Sequence, residues 1–437
     1  MATREADRSR MLTAAEAAAQ LGVKIGTLYA YVSRGWLRSY RRRVGRQALY
    51  RRDDIDALRD LATAEGGRRG RSLPDASSWV TVAQPPSTDG SPYGVIVAES
   101  AVSSIIDGRL AYRGYPIEAL VERASFEEVC LLLWNGERSN PGATAALRQS
   151  IARAEAPDRV AAALRAVGDE APPLVRLAVA MPALASLERQ RTARPTIEQA
   201  TRIMSVLLLA LARGRVPYAN GGGMAARLIS VGLRAPAADW EIAVLDRILI
   251  ACAEHELNAS TFAARVVAST GADLYASVLA ALCSLSGPIH GGACDRIEQM
   301  FAQLDAGTRL EECLATFSVK SRLPPGFGHA IYPNGDPRAL LLKKQGAEIA
   351  RRRGRRLFET AQSVEETVWR RERLRPNLDF YLTVCARMLG FARGLPAAIF
   401  ALGRAAGWIA HSLEQYADNR LIRPRMRYRG VPMRRWS

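Results

Sequence analysis

The chain has 437 residues, room for two or three domains of about 100–200 residues each. Its 48% hydrophobic and 24% charged residues are those of a folded globular chain and exclude wholesale disorder. Of 61 basic residues only Lys24, Lys320, Lys343 and Lys344 are lysine, so 57 are arginine, and the net charge is +18. Such a surplus suits phosphate, carboxylate or nucleic acid, which guanidinium groups bind in a two-pronged fashion. A general preference for Arg over Lys would give the same count.

Residues 1–65 form a first unit, with thirteen Lys and Arg against eight Asp and Glu. Thr13-Ala14-Ala15-Glu16 is a capping box that starts a short helix, and Leu21-Gly22-Val23 ends it in a tight turn. A second helix is predicted from Lys24 to Arg34, closed by Gly35, and a third opens at Asp53-Asp54 and runs through Leu58. Between them lies a basic segment holding Arg41, Arg42, Arg43 and Arg46. Two short helices joined by a glycine turn, followed by a basic wing, resemble the winged helix-turn-helix of MerR-type regulators. The resemblance implies duplex DNA as partner. Lys24 and Thr27 would sit on the helix entering the major groove, and the wing arginines 41, 42, 43 and 46 would hold phosphates. A helical module with a solvated basic face, used for protein contact, is the alternative. Residues 66–92, rich in Gly, Pro, Ser and Arg, read as a linker.

From residue 93 the pattern is helical. Apolar residues recur at spacings of three and four, as in Thr196 to Arg213 and Trp240 to Ala253. One short hairpin is predicted within Val95 to Tyr112, turning at Asp107-Gly108. The six cysteines form no CxxC pair and read as reduced, mostly buried thiols. No signal-peptide pattern and no apolar run of about 18 residues is present, so a cytoplasmic protein is expected. GxxxxGK[ST] is absent, which excludes a P-loop ATPase. His255-Glu256 lacks the second histidine of a zincin helix, and no metal site is expected.

There are four histidines, and His255, His290 and His329 lie in the polar, turn-rich segments AEHELNAST, SGPIHGGAC and PPGFGHAIYPNGDPRA. Polar groups on glycine turns suit convergence on a ligand. His411 reads as structural. With DGRLAYRGYPIEAL, SFEEVCLLLWNGE, RPNLDFYL and FALGRAAGWIAHSLEQ, these segments resemble the citrate synthase family, in order, from about residue 93 to 430. The resemblance implies an all-α fold: a large domain over 93–271 and 379–437, a small one over 272–378, and a homodimer. It implies condensation of acetyl-CoA with oxaloacetate and hydrolysis of the thioester, the CoA thioester being a substrate and no cofactor being needed. The alternatives are 2-methylcitrate synthesis from propionyl-CoA, and a DNA-binding metabolite sensor with little turnover.

By motif match Asp379 is the base that deprotonates the thioester methyl, His290 the donor to the enolate oxygen, and His329 the group polarising the ketone. Arg338, Arg404 and Arg423 match carboxylate-binding arginines, the last reaching a neighbouring subunit's site, and His255 a further oxaloacetate ligand. Each also has a bland reading: Asp379 as a helix-start carboxylate, His255 as a core histidine, Arg404 as an internal ion-pair partner. Two departures stand out. Ala330 and Pro333 occupy places where the family offers basic residues for the CoA phosphates, and Leu382-Thr383 replace a small Ser-Gly pair after Asp379. Arg322 or the stretch Lys343 to Arg356 could supply the missing charge.

Overall fold

The computed structural model describes residues 11–25, 27–28, 37, 40–41, 48–52, 54–56, 98–188, 195–212, 222–233, 237–317, 323–424 and 431. They belong to two compact units, Met1–Trp79 and Val80–Ser437. The proposed linker 66–92 lies outside the described residues.

In the first unit, β1 (Met11–Thr13) leads directly into α1 (Ala14–Leu21). Thr13 and Glu16 form the expected capping box, and Gly22 ends the helix in the left-handed conformation at φ 69°. Thr27 and Leu28 N–H then donate to Lys24 C=O, opening the second helical turn. β2 (Tyr40–Arg41) and β3 (Ala48–Arg51) pair antiparallel, and β1 adds to the free side of β3. Arg42, Arg43 and Arg46 lie outside the described residues. The sequence pattern did not reveal β1; three residues are too few for alternation to register. Leu12, Ala17, Ala18, Leu28, Leu37, Tyr50 and Ile55 form a small buried core, and Gln20 donates to Asp56 at 2.6 Å.

The second unit opens with β4 (Ser103–Ile106), β5 (Arg109–Tyr112) and β6 (Tyr115–Pro116), an antiparallel sheet in that order. The predicted turn residues Asp107 and Gly108 both have positive φ, as a two-residue hairpin turn requires. Helices follow: α2 (Ile117–Arg123), α3 (Phe126–Asn135), α4 (Pro141–Arg153), α5 (Asp158–Val167), α6 (Pro173–Ala185), α7 (Ile197–Leu211) and α8 (Met224–Leu233). Next come α9 (Asp239–Cys252), α10 (Ala259–Ser269), α11 (Leu274–Leu285), α12 (Gly292–Asp305) and α13 (Leu310–Phe317). The last are α14 (Pro337–Arg353), α15 (Arg356–Glu372), α16 (Leu378–Leu389) and α17 (Leu395–Asp418). The two helices singled out by periodicity, α7 and α9, fall within a residue or two of their expected limits. The fold is all-α apart from the two small sheets.

The axle is α17, buried over most of its length and packed against α3, α6, α7, α9, α10, α11 and α16. Gly403 and Gly407 let it cross the end of α9 closely: a Cβ at Gly403 would sit 2.7 Å from Cys252 Cβ, and one at Gly407 2.5 Å from Ala253 O. Below this crossing His411 Nε2 meets Glu254 Oε1 at 3.1 Å and its Nδ1 meets Arg265 at 3.3 Å, in a fully buried polar core. His411 is structural, as expected. All six cysteines are free, five buried and Cys283 exposed. No described helix is long and apolar enough to cross a membrane.

Candidate active site

The expected histidines and Asp379 sit at the ends of elements that meet around the crossing of α9 and α17. Tight backbone sets their positions. His290 lies in the turn before α12, where Gly291 N–H donates to Leu285 C=O and a Cβ at Gly291 would come within 2.4 Å of that oxygen. His329 follows Gly326 and Gly328, both at positive φ. That segment pairs with the chain leading into α16: Phe327 bridges Pro376, Gly328 N–H donates to Arg375 C=O, and Asn377 N–H donates to Gly326 C=O. Asn377 then caps α16 by accepting from Asp379 N–H, so Asp379 stands in the first turn, beside the segment that bears His329.

Burial dominates the electrostatics. It pushes Asp379 up to about 6, against the opposing pull of Arg338 and Arg404. Cys294 Sγ lies 3.8 Å from Asp379 Oδ1. Burial also brings His290 and His329 down to about 4, with Arg404 and Arg338 respectively adding to the shift, so both rings are neutral at neutral pH. His329 Nδ1 accepts from Ile331 N–H at 3.2 Å, which leaves Nε2 as its donor. His290 Nε2 lies 2.9 Å from Ser260 Oγ, which itself accepts from Trp408 Nε1 at 3.1 Å and lies 2.9 Å from Asn258 Oδ1. His255, buried and held well below its ordinary value by burial, pairs through Nε2 with Tyr332 Oη at 2.9 Å and packs edge-on to His329 at 5.1 Å.

Two arginines complete the group. Arg338 starts α14 and is buried, and its Nε and Nη2 donate to Asp336 at 2.9 and 2.8 Å. The side fork that the sequence reading gives to a carboxylate ligand is therefore taken by Asp336, and the Nη1 end alone remains. Burial opposes the charge on Asp336, yet Arg338 holds this carboxyl below its usual value. Arg404 on α17 is 1% exposed; its Nε donates to Cys252 C=O at 2.7 Å, and both Nη1 and Nη2 are buried without a hydrogen-bond partner. Arg404 is thus no ion-pair strut: two donors of a charged group face an unfilled need for acceptors.

The other residues singled out in the sequence lie outside this group. Arg423 is exposed in the segment after α17 and makes no ion pair among the described residues. Within the stretch Lys343 to Arg356, four basic residues are paired with carboxylates. Lys343 pairs with Glu365, Arg351 and Arg352 with Glu348, and Arg353 with Glu241. Arg322 lies outside the described residues. Leu382 and Thr383 are fully buried, and Thr383 Oγ1 bonds Asp379 C=O at 2.8 Å. Sequence reasoning missed Ser260, Tyr332, Asp336 and Trp408. Asp336 and Tyr332 carried a signal, lying two and six residues before Arg338, and Trp408 falls four residues past Arg404 on the same helix face.

Comparison with known proteins matches both parts of the chain. Residues 92–425 match a family described as "Citrate synthase, C-terminal domain", and residues 11–60 one described as "Helix-turn-helix domain". Citrate synthase 2 of Bacillus subtilis (strain 168) is 35% identical over 351 residues, covering 77% of this chain and 94% of that protein. 2-Methylcitrate synthase 2 of Corynebacterium glutamicum is 31% identical over 362 residues, covering 78% and 94%. The citrate synthase of Thermoplasma acidophilum, solved as a ternary complex with carboxymethyl coenzyme A and oxaloacetate, superposes with a TM-score of 0.67 at 25% identity, covering 79% of this chain and 96% of that one.

Proposed function

This chain belongs to the citrate synthase family, an acyltransferase-type enzyme with a helix-turn-helix domain at its N-terminus, and from that premise we propose that it condenses acetyl-CoA with oxaloacetate and hydrolyses the thioester. The observation that carries the reading is Arg404: a fully buried guanidinium with two idle donors, placed among two neutral histidines and an aspartate of raised pKa. A dicarboxylate answers that need. Arg404 takes one carboxylate of oxaloacetate with Nη1 and Nη2, while Arg338 Nη1 and His255 take part in holding the rest. His329 Nε2–H donates to the ketone oxygen as it becomes an alkoxide.

The acyl thioester then lies between Asp379 and His290. Asp379 accepts the methyl proton. His290 meets Ser260 Oγ through Nε2 and stabilises the negative charge that develops on the thioester oxygen by donating from Nδ1, a tautomer in which the single Ser260 proton goes to Nε2 rather than to Asn258 Oδ1. Trp408 N–H donates to Ser260 Oγ, which leaves this hydroxyl one proton and two acceptors, His290 Nε2 and Asn258 Oδ1. The new carbon–carbon bond forms at the ketone carbon, and water then releases CoA from the citryl thioester. We take 93–271 with 379–437 and 272–378 as two lobes whose approach shields this chemistry.

Relatives named for citrate and for 2-methylcitrate synthesis are about equally distant, so the acyl group is settled by measurement. The test is the ratio of kcat/KM for acetyl-CoA and propionyl-CoA against oxaloacetate, followed by thiol release. Acetyl-CoA is expected to be preferred; a preference for propionyl-CoA by tenfold or more reassigns the substrate. One methylene is worth about 1–3 kcal/mol in such a pocket.

The N-terminal unit is proposed to bind duplex DNA. Its support is the exposed Lys24 at the opening of the second helix, Thr27 one turn on, and the antiparallel pairing of β2 and β3. A gel-shift titration at low salt tests it.

A further inference from the structure

The resemblance implies basic groups for the CoA phosphates where this chain has Ala330 and Pro333, and Lys343, Arg351, Arg352 and Arg353 are paired with carboxylates. The neutral loop is nevertheless not far from charge. Gly335, two residues past Pro333, packs on Arg375: a Cβ there would lie 3.3 Å from Arg375 Cβ and 3.4 Å from its Cγ. Arg375 C=O is the group that receives Gly328 N–H. The guanidinium of Arg375 stacks 3.7 Å above the Trp369 ring, and Arg373 lies 5.3 Å from the same ring. Both arginines are exposed, and among the described residues neither has a carboxylate partner, whereas nearby Arg370 is paired with Glu366.

Apolar side chains neighbour both this pair and the segments that bear the reacting groups. Leu374, between the two arginines, lies within 3.5 Å of a Cβ built at Gly328, and Leu323 within 3.0 Å of the same point. Leu323, Ile331 and Ile289 are exposed beside the His329 and His290 segments, at 53%, 37% and 96%. The lengths agree. Four residues from Asp379 back to Arg375 span at most about 14 Å, and six to Arg373 about 21 Å. The pantetheine arm of CoA runs about thirteen bonds from sulfur to its first phosphorus, about 15 Å when extended at the advance per bond of an extended peptide.

The geometry points to Arg373 and Arg375, stacked on Trp369, as the pair that holds the phosphates of the CoA nucleotide in place of the absent basic residues at 330 and 333. This rests on the synthase reading above. Charged contacts of this kind are worth about tenfold each. Arg373→Ala/Arg375→Ala is therefore expected to raise KM for acetyl-CoA by tens to a hundredfold, with kcat changed by less than about threefold. The truncated thioester S-acetyl-N-acetylcysteamine, which has no nucleotide, should be used equally well by parent and variant. Arg373→Lys/Arg375→Lys keeps the charge and should recover most of the loss. A KM for acetyl-CoA within twofold of the parent's, or an equal defect with the truncated thioester, overturns the assignment. Calorimetric titration of full-length protein with CoA keeps the test separate from turnover. If neither thioester is turned over, the synthase reading fails, and the phosphate assignment stands or falls on whether the double Ala variant binds CoA more weakly.

Discussion

Arg404→Met separates the two things a buried arginine can do. The guanidinium is 1% exposed, gives one hydrogen bond to Cys252 C=O, and leaves Nη1 and Nη2 without partners. Burial lowers its pKa, with Glu254 opposing, so the free protein carries a charge it solvates poorly. Replacing buried ions by apolar groups of similar volume gains about 1–4 kcal/mol in other proteins. Leaving the Cys252 carbonyl without a donor costs about 1–3 kcal/mol. The two effects nearly cancel, and the variant should unfold within about 2 kcal/mol of the parent. Oxaloacetate binding has no such compensation. Losing one partner of a desolvated charge pair costs about 2–5 kcal/mol, or about 30- to 5,000-fold in Kd. Urea unfolding with and without oxaloacetate reads both quantities. At a hundred times its Kd the ligand stabilises the parent by about 2.7 kcal/mol, and at that concentration it should stabilise the variant by less than about 1 kcal/mol. A variant more than about 3 kcal/mol less stable that still binds oxaloacetate within threefold would make Arg404 a structural strut and refute the reasoning.

Asp379→Asn should cut turnover by about two to four orders of magnitude while oxaloacetate still binds by calorimetry, since the amide cannot accept the methyl proton. In the parent the base works ionised, so kcat/KM should fall as pH drops through about 6, the value burial gives Asp379. His290 and His329, already neutral above about 4, should add no break near pH 7, and an acid limb centred near 7 would point to another base. Arg338→Lys should weaken oxaloacetate binding despite keeping the charge, because the ammonium cannot hold Asp336 and the ligand together; unchanged affinity by calorimetry would show Arg338 to serve Asp336 alone. Arg41→Ala/Arg42→Ala/Arg43→Ala should flatten the salt dependence of DNA binding by up to about three phosphate contacts, and an unchanged slope would remove the wing from the interface.

What was legible in the sequence follows from how locally each feature is determined. The capping box at Thr13 and Glu16, the Asp107-Gly108 turn and the three- and four-residue spacing of α7 and α9 are set by neighbouring residues, and each was found where the pattern put it. His290, His329, Asp379 and Arg404 were legible because ordered motifs carried them. Their electrostatic state was not: the raised pKa of Asp379 and the idle donors of Arg404 depend on burial by α9, α16 and α17, far apart in sequence. Arg338 was half read. Its charge was plain, but the capture of its side fork by Asp336 emerges only when the start of α14 fixes both side chains. Ser260 and Trp408, 148 residues apart, had no common pattern to betray them. Arg375 escaped notice as one arginine among 57, and becomes distinct only through its stacking on Trp369 and its place against Gly335.

The most direct measurement is product analysis by mass spectrometry after incubating the full-length protein with oxaloacetate and acetyl-CoA. A synthase site predicts citrate and free CoA in equal amounts, no CoA release when oxaloacetate is omitted, and neither product from Asp379→Asn. CoA released without oxaloacetate would mean simple thioester hydrolysis, and no product with either acetyl-CoA or propionyl-CoA would mean that the cleft binds its dicarboxylate without condensing it.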